Sequence, residues 1–198
     1  MAEVSSTELE IRKACDDRDY RTAATIVVRA YGPEIFRFLC AKLRNADLAA
    51  EAFSQFTEDL WRGIPGFANR STARVWAYAV SRHAASRVIG IARRERRQVP
   101  LSEATQLSKL AHRVRTETMA FMRTEVKQHV EKLREQLSPD DQVLLLLRVN
   151  RGLKFKEIAE IVQYEGGESS QEAIDQEAAR LRKRFQLLKE RLRKMART

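Results

Sequence analysis

Seven glycines and four prolines in 198 residues leave this chain almost no material for the tight turns on which a strand-rich fold depends. Ala, Leu, Glu, Arg and Lys dominate what remains, and these residues favour helix. The expected fold is therefore all-α. A chain of this length holds one ordinary domain or two small ones, and either permits a real core.

Apolar spacing sorts the helices into two groups. Thr7 and Glu10 have capping-box spacing around Leu9, Ile11 and Ala14. A run from Ala23 to Tyr31 stops at Gly32-Pro33, which predicts a helix end there and a new helix from Pro33 carrying Ile35, Phe36, Phe38, Leu39 and Leu43. Ala49, Ala52, Phe53, Phe56 and Leu60 predict a fourth helix before the break at Gly63-Ile64-Pro65-Gly66. The next helix starts near Thr72 and extends to about Arg97. Beyond it Pro100 and scattered Ser and Thr weaken the period, so residues 98–119 are read as a linker between an N-terminal domain, 1–97, and a C-terminal domain, 120–198. In the second domain Phe121, Met122, Val126, Val130, Leu133 and Leu137 share a face. Ser138-Pro139-Asp140 closes that helix and caps the next, which ends at Gly152. A short helix, Phe155 to Val162, precedes a loop from Glu165 to Ser170. The last helix then starts at Gln171 or Glu172 and reaches Met195.

Charge narrows the class of partner. Lys and Arg total 37 against 27 Asp and Glu, a formal net charge of +10, which suits a polyanion, although a solvated basic surface would have the same composition. The polar start from Met1 to Leu9 predicts no secretory signal. The longest purely apolar run, Val143 to Leu147, is far shorter than the roughly 20 residues of a membrane span. Cys15 and Cys40 both lie within hydrophobic patterns, which implies free thiols in a reducing compartment and no disulfide. Together these predict a soluble cytoplasmic protein that engages no membrane.

The positive charge is densest in the last helix, at Arg180, Arg182, Lys183, Arg184, Lys189, Arg191, Arg193, Lys194 and Arg197. Leu181, Phe185, Leu188 and Leu192 form an apolar seam that would dock this helix, leaving the residues near its start for duplex DNA. Arg182 and Arg184 are the leading candidates for contacts to bases or adjacent phosphates, with Arg180, Lys183 and Lys189 on phosphates. Upstream, Lys154 to Val162 reads as the first member of a helix-turn-helix pair, with small Ala159 at the crossing and Ile158 and Val162 towards the partner.

The segments Leu137-Ser138-Pro139-Asp140-Asp141-Gln142-Val143-Leu144, Arg151 to Ala159, and Leu181-Arg182-Lys183-Arg184-Phe185 with Leu192-Arg193 resemble the promoter-binding C-terminal domain of sigma-70 family factors. The N-terminal half resembles the other conserved domain of the compact extracytoplasmic-function group. Its signs are Glu58-Asp59-Leu60-Trp61-Arg62 and Arg74 to His83 with a basic run beyond. Two departures stand out: Ala52 and Phe56 occupy positions where the family's polymerase-binding helix is polar, and the loop at Glu165 to Ser170 is long.

The resemblance implies a sigma factor without cofactor or catalytic chemistry, whose partners are core RNA polymerase and promoter DNA. An anti-sigma factor is a candidate partner by resemblance alone. The helix from Asp47 to Trp61 presents Glu51, Gln55, Glu58 and Asp59 as an acidic stripe, and the family places the coiled-coil clamp of the large polymerase subunit there. On the helix from Thr72, Trp76 follows the core spacing. Tyr78, four residues from both Arg74 and Arg82, is read as a platform for unpaired bases. By resemblance the loop from Phe67 to Ser71 receives a flipped base, and Arg93, Arg94, Arg96 and Arg97 hold nearby phosphates.

His83, His112 and His129 are isolated, and the chain has no Cys/His cluster, glycine-rich phosphate loop or nucleophile elbow, so an enzyme is not expected. The rival reading is a helix-turn-helix transcription regulator whose N-terminal domain senses a ligand or dimerises.

Overall fold

The computed structural model describes residues 5–94, 106–124, 136–164 and 170–195, with backbone only at 91–94, 106 and 120–124. The fold is all-α, and among the described residues no helix is long and apolar enough to cross a membrane. The chain divides into two compact units, Met1–Phe121 and Met122–Thr198.

The first unit begins with α1, Ser6–Asp16. Its cap is Ser5, whose hydroxyl accepts from the Glu8 amide at 3.4 Å, rather than Thr7. Glu8, three residues on, does not fold back to complete a box. It is buried, and its carboxylate accepts from the Tyr31 hydroxyl at 2.7 Å and from the Ala73 and Arg74 amides at 2.8 and 3.1 Å. A side chain of the first helix thereby satisfies orphan N–H groups at the start of another helix far along the chain.

Helix α2, Tyr20–Leu43, passes straight through Gly32 and Pro33, where the sequence predicts an end. Arg29 and Pro33 are both exposed, so the carbonyl that proline deprives of a donor lies where water supplies one. Gly32 has a packing role: a Cβ there would come within 2.9 Å of Val114 Cγ1. Asn45 caps α3, Ala46–Gly63, accepting from the Leu48 amide at 2.9 Å. One 3-10 turn, Ile64–Gly66, leads towards α4, Ala73–Arg94.

α4 packs on both α2 and α3, so every residue from Val75 to Ser81 is buried. Around it Ile35, Phe36, Phe38, Leu39, Phe53, Phe56, Leu60 and Ile64 form a close-packed core. Phe36 meets Phe53 edge-on at 5.4 Å, a geometry worth about 0.5–1.5 kcal/mol beyond area burial.

The linker reading of 98–119 needs correction from Gln106 onward. Gln106–Thr124 is a helix, α5, with Ala111, Val114 and Thr118 buried at steps of three and four residues. The Val114 contact with Gly32 ties it to the first unit. Residues 98–105 lie outside the described residues. So does 125–135, the greater part of the helix expected from Phe121 to Leu137.

In the second unit α6, Pro139–Leu145, starts as its sequence predicts: Ser138 accepts from the Asp141 amide at 3.2 Å, proline occupies the first turn, and Asp140 and Asp141 follow. The helix widens into a π turn, Leu146–Asn150, and Gly152, at φ +68°, ends it in the left-handed region that glycine tolerates. Next comes α7, Phe155–Gln163, where the Glu157 carboxylate accepts from the Lys154 amide at 2.6 Å. Ser170 caps α8, Gln171–Met195, through the Ala173 amide at 3.2 Å. α8 packs on α7 and α6 over Leu144, Leu147, Ile158, Ala159 and Ile161. Val162, expected to face the partner helix, is exposed instead, and Ile161 takes the inward position.

Candidate nucleic-acid interface

One side of α8 is seated and the other is open. Ala178, Leu181 and Leu188 are buried, with Phe185 and Leu192 half-buried beside them. At 3.6 residues per turn the opposite crest carries Gln176, Ala179, Arg180, Lys183, Gln186 and Leu187, all exposed. From Ala178 to Met195 the only acidic residue is Glu190, so the crest stands in a positive field.

The structure sorts the basic side chains by what else they do. Arg184 is engaged inside the unit: its Nε lies 2.7 Å from Asp141 Oδ1 and its Nη2 3.4 Å from the Ser138 hydroxyl, so it anchors α8 to the cap of α6. Arg191 donates to the Gln136 carbonyl at 3.1 Å and fastens the same edge. The guanidinium of Arg182 lies 5.7 Å from the Phe155 ring centre, and that of Arg148 lies 4.9 Å from it. Phe155 in turn meets Phe185 at 5.7 Å, and Lys189 is held 5.4 Å from the Phe185 ring. Arg182 therefore bridges α7 and α8, Arg184 ties α8 to the start of α6, and Lys189 lies against a ring of its own helix.

Arg180 and Lys183 project from the crest. Arg180 is 82% exposed and, among the described residues, pairs with its own-helix neighbour Glu177 at 3.6 Å, a contact whose cationic end lies in water. Arg182 and Arg184, foremost in the expectation from sequence, are exposed but engaged inside the unit, whereas Arg180 and Lys183 stand on the open crest. Sequence spacing placed all of these residues near one helix start but could not show that Asp141, 43 residues away, claims one of them.

In the first unit the platform read at Tyr78 does not form. Tyr78 is 0% exposed and meets Phe38 edge-on at 5.4 Å, because α4 is covered on more than one side and leaves no outward face at that position. Trp76 is also buried, as its spacing predicts, and stacks on half-buried Phe67 with ring centres 4.9 Å apart. Arg74 makes a two-pronged pair with Glu34 at 2.6 and 2.8 Å. That hydrogen bonding raises its pKa above the usual value against the opposing effect of burial. The Ser71 hydroxyl donates to the Thr72 carbonyl at 3.3 Å, and Arg82 is half-buried. Arg93 and Arg94 fall in the last turn of α4, described by backbone alone; Arg96 and Arg97 lie outside the described residues.

The acidic stripe on α3 divides as well. Glu51 and Glu58 are exposed, Glu58 lying 3.7 Å from Arg62. Asp59 is engaged inside the unit by an ion pair with Arg87 of α4, and Gln55 donates to it at 3.2 Å. Beside Glu58, one turn along, Trp61 is 46% exposed. The face assignments drawn from sequence omit it, though a Trp three residues after an outward Glu on an amphipathic helix is a readable signal.

Among the described residues no group of three or more His, Cys, Asp or Glu side chains is placed to hold a metal ion. Burial raises the pKa of Cys40 to about 11, and that of Cys15 is raised by burial and by the charge of Asp16, so neither thiol is primed for chemistry. Comparison of the chain with family models, with curated proteins and with solved structures finds no match.

Proposed function

We propose that this chain is a sigma factor of the extracytoplasmic-function type: it binds core RNA polymerase and directs promoter-specific initiation. The observation that carries the reading is the α7–α8 pair, in which a seated helix offers an exposed, positively charged crest of a length that fits a major groove. The order of the segments that resemble the family, in both halves of the chain, supports it further. In this reading α8 contacts the upstream promoter element, with Arg180 and Lys183 on phosphates or base edges. Arg182 and Arg184 set the helix at its angle, and Lys189 lies farther along it for the backbone. Glu51, Glu58 and the neighbouring Trp61 form the polymerase contact. The loop from Phe67 to Ser71, with Arg82 and the basic run through Arg97, serves the opened downstream element.

Promoter-specific initiation by core polymerase supplemented with the purified chain tests the proposal directly. Specific transcripts support it, whereas duplex binding without any effect on core polymerase returns the helix-turn-helix regulator. Within it, Lys183→Ala is expected to weaken DNA binding at unchanged stability and to lower the salt slope by about one. Arg184→Ala is expected to reduce thermal stability as well, because it frees α8 from Asp141 and Ser138.

A further inference from the structure

Leu187 sits on the crest of α8, 59% exposed, in company a solvated leucine would not be expected to keep. Lys183 precedes it by one turn and Arg180 by two, so all three project from the same side, with exposed Ala179 and Gln186 beside them and no acidic residue from Ala179 to Leu187; exposed Glu190 follows one turn on. Leu187 takes no part in the seam that holds the helix, which Leu181 and Leu188 already fill. A large apolar side chain set among cations on the outermost line of a helix has little use in water, but it fits one partner. The major groove offers phosphates at its rims and, on its floor, a single kind of apolar group, the 5-methyl of thymine.

We propose that Leu187 is a specificity-determining residue that reads a thymine methyl in the major groove. The inference rests on the reading of α8 as the groove-binding helix and adds to it a base preference. From Arg180 to Leu187 the helix rises about 10 Å, roughly three base-pair steps, so the thymine lies within about three base pairs of the contact made by Arg180. Arg180 and Lys183 provide attraction to the backbone, and Leu187 makes the sequence preference apolar at that position.

Replacing thymine by deoxyuridine removes the methyl and nothing else, which makes it the discriminating probe. Duplexes selected from a random library by the full chain, alone and assembled with core polymerase, are remade with uracil at each thymine in turn. The wild-type chain is expected to lose about fourfold in affinity at one or two positions, the worth of one buried methyl. Leu187→Ala is expected to bind the thymine and uracil duplexes equally. The variant keeps its fold, since the side chain is exposed and alanine is the better helix former. Wild-type indifference to uracil at every position overturns the proposal, as does a Leu187→Ala chain that retains the uracil penalty. Failure to bind any duplex, alone or with polymerase, overturns the reading of α8 itself and this inference with it.

Discussion

Tyr78 and Trp76 show how far a helical wheel reaches at the scale of a residue. Spacing placed Trp76 in the core correctly and put Tyr78 outside, because a wheel assumes one buried face. The ring of Tyr78 is instead fully enclosed against Phe38. Tyr78→Ala is expected to cost about 3–5 kcal/mol in urea unfolding, as other large-to-small aromatic truncations do. A variant of wild-type stability would show that the ring is not core. Burial also ties stability to alkaline pH. Desolvation, with the hydrogen bond and charge of Glu8, raises the Tyr31 pKa, and desolvation raises that of Cys40 to about 11. Both groups hold their protons more tightly folded than unfolded. The stabilisation is complete below the ordinary thiol and phenol range, near pH 9 to 10, and fades as pH rises past it. Urea midpoints should therefore fall from about pH 9 upward, and less steeply in a Tyr31→Phe, Cys40→Ala variant; parallel curves would refute the assignment.

At the scale of elements, local cap chemistry was read at one helix and missed at another. Ser138 caps α6 where its sequence indicates, since a cap needs only a local hydroxyl and the next turn, whereas at α1 the capping hydroxyl is that of Ser5 and not of Thr7. Gly32-Pro33 looked like an end and is the middle of α2, because what glycine supplies there is room for Val114 from α5. A β-branched side chain has little rotamer freedom to yield. Gly32→Ala is therefore expected to destabilise by about 1–2 kcal/mol despite the better helix propensity of alanine. In a Val114→Ala background the same change should become neutral or stabilising. Additive effects in that double-mutant cycle would mean the two sites do not touch.

At the scale of the whole molecule, the chain divides into two compact units at Phe121, and helix α5 belongs to the first of them. α5 shows weak periodicity because, among its described side chains, the buried stripe is narrow: Ala111, Val114 and Thr118, flanked by half-buried Leu107, Leu110 and Met119. Such a helix is specified by the surface it covers more than by its own pattern. A fragment of residues 1–97 is expected to melt at lower temperature than one of residues 1–124, which keeps α5 over Gly32; equal melting temperatures would return 98–119 to the status of a linker. What the sequence determined by itself is what depends on near neighbours and on sums: helical class, from the scarcity of turn residues; a net positive charge, from composition; caps and amphipathic faces, from spacing of three and four. Tertiary structure alone decided which charged side chains are available. Asp141 claims Arg184, Arg87 claims Asp59 and Glu34 claims Arg74 across separations of 43, 28 and 40 residues. An ion pair forms where two chain segments meet in space, and nothing in local spacing encodes that meeting.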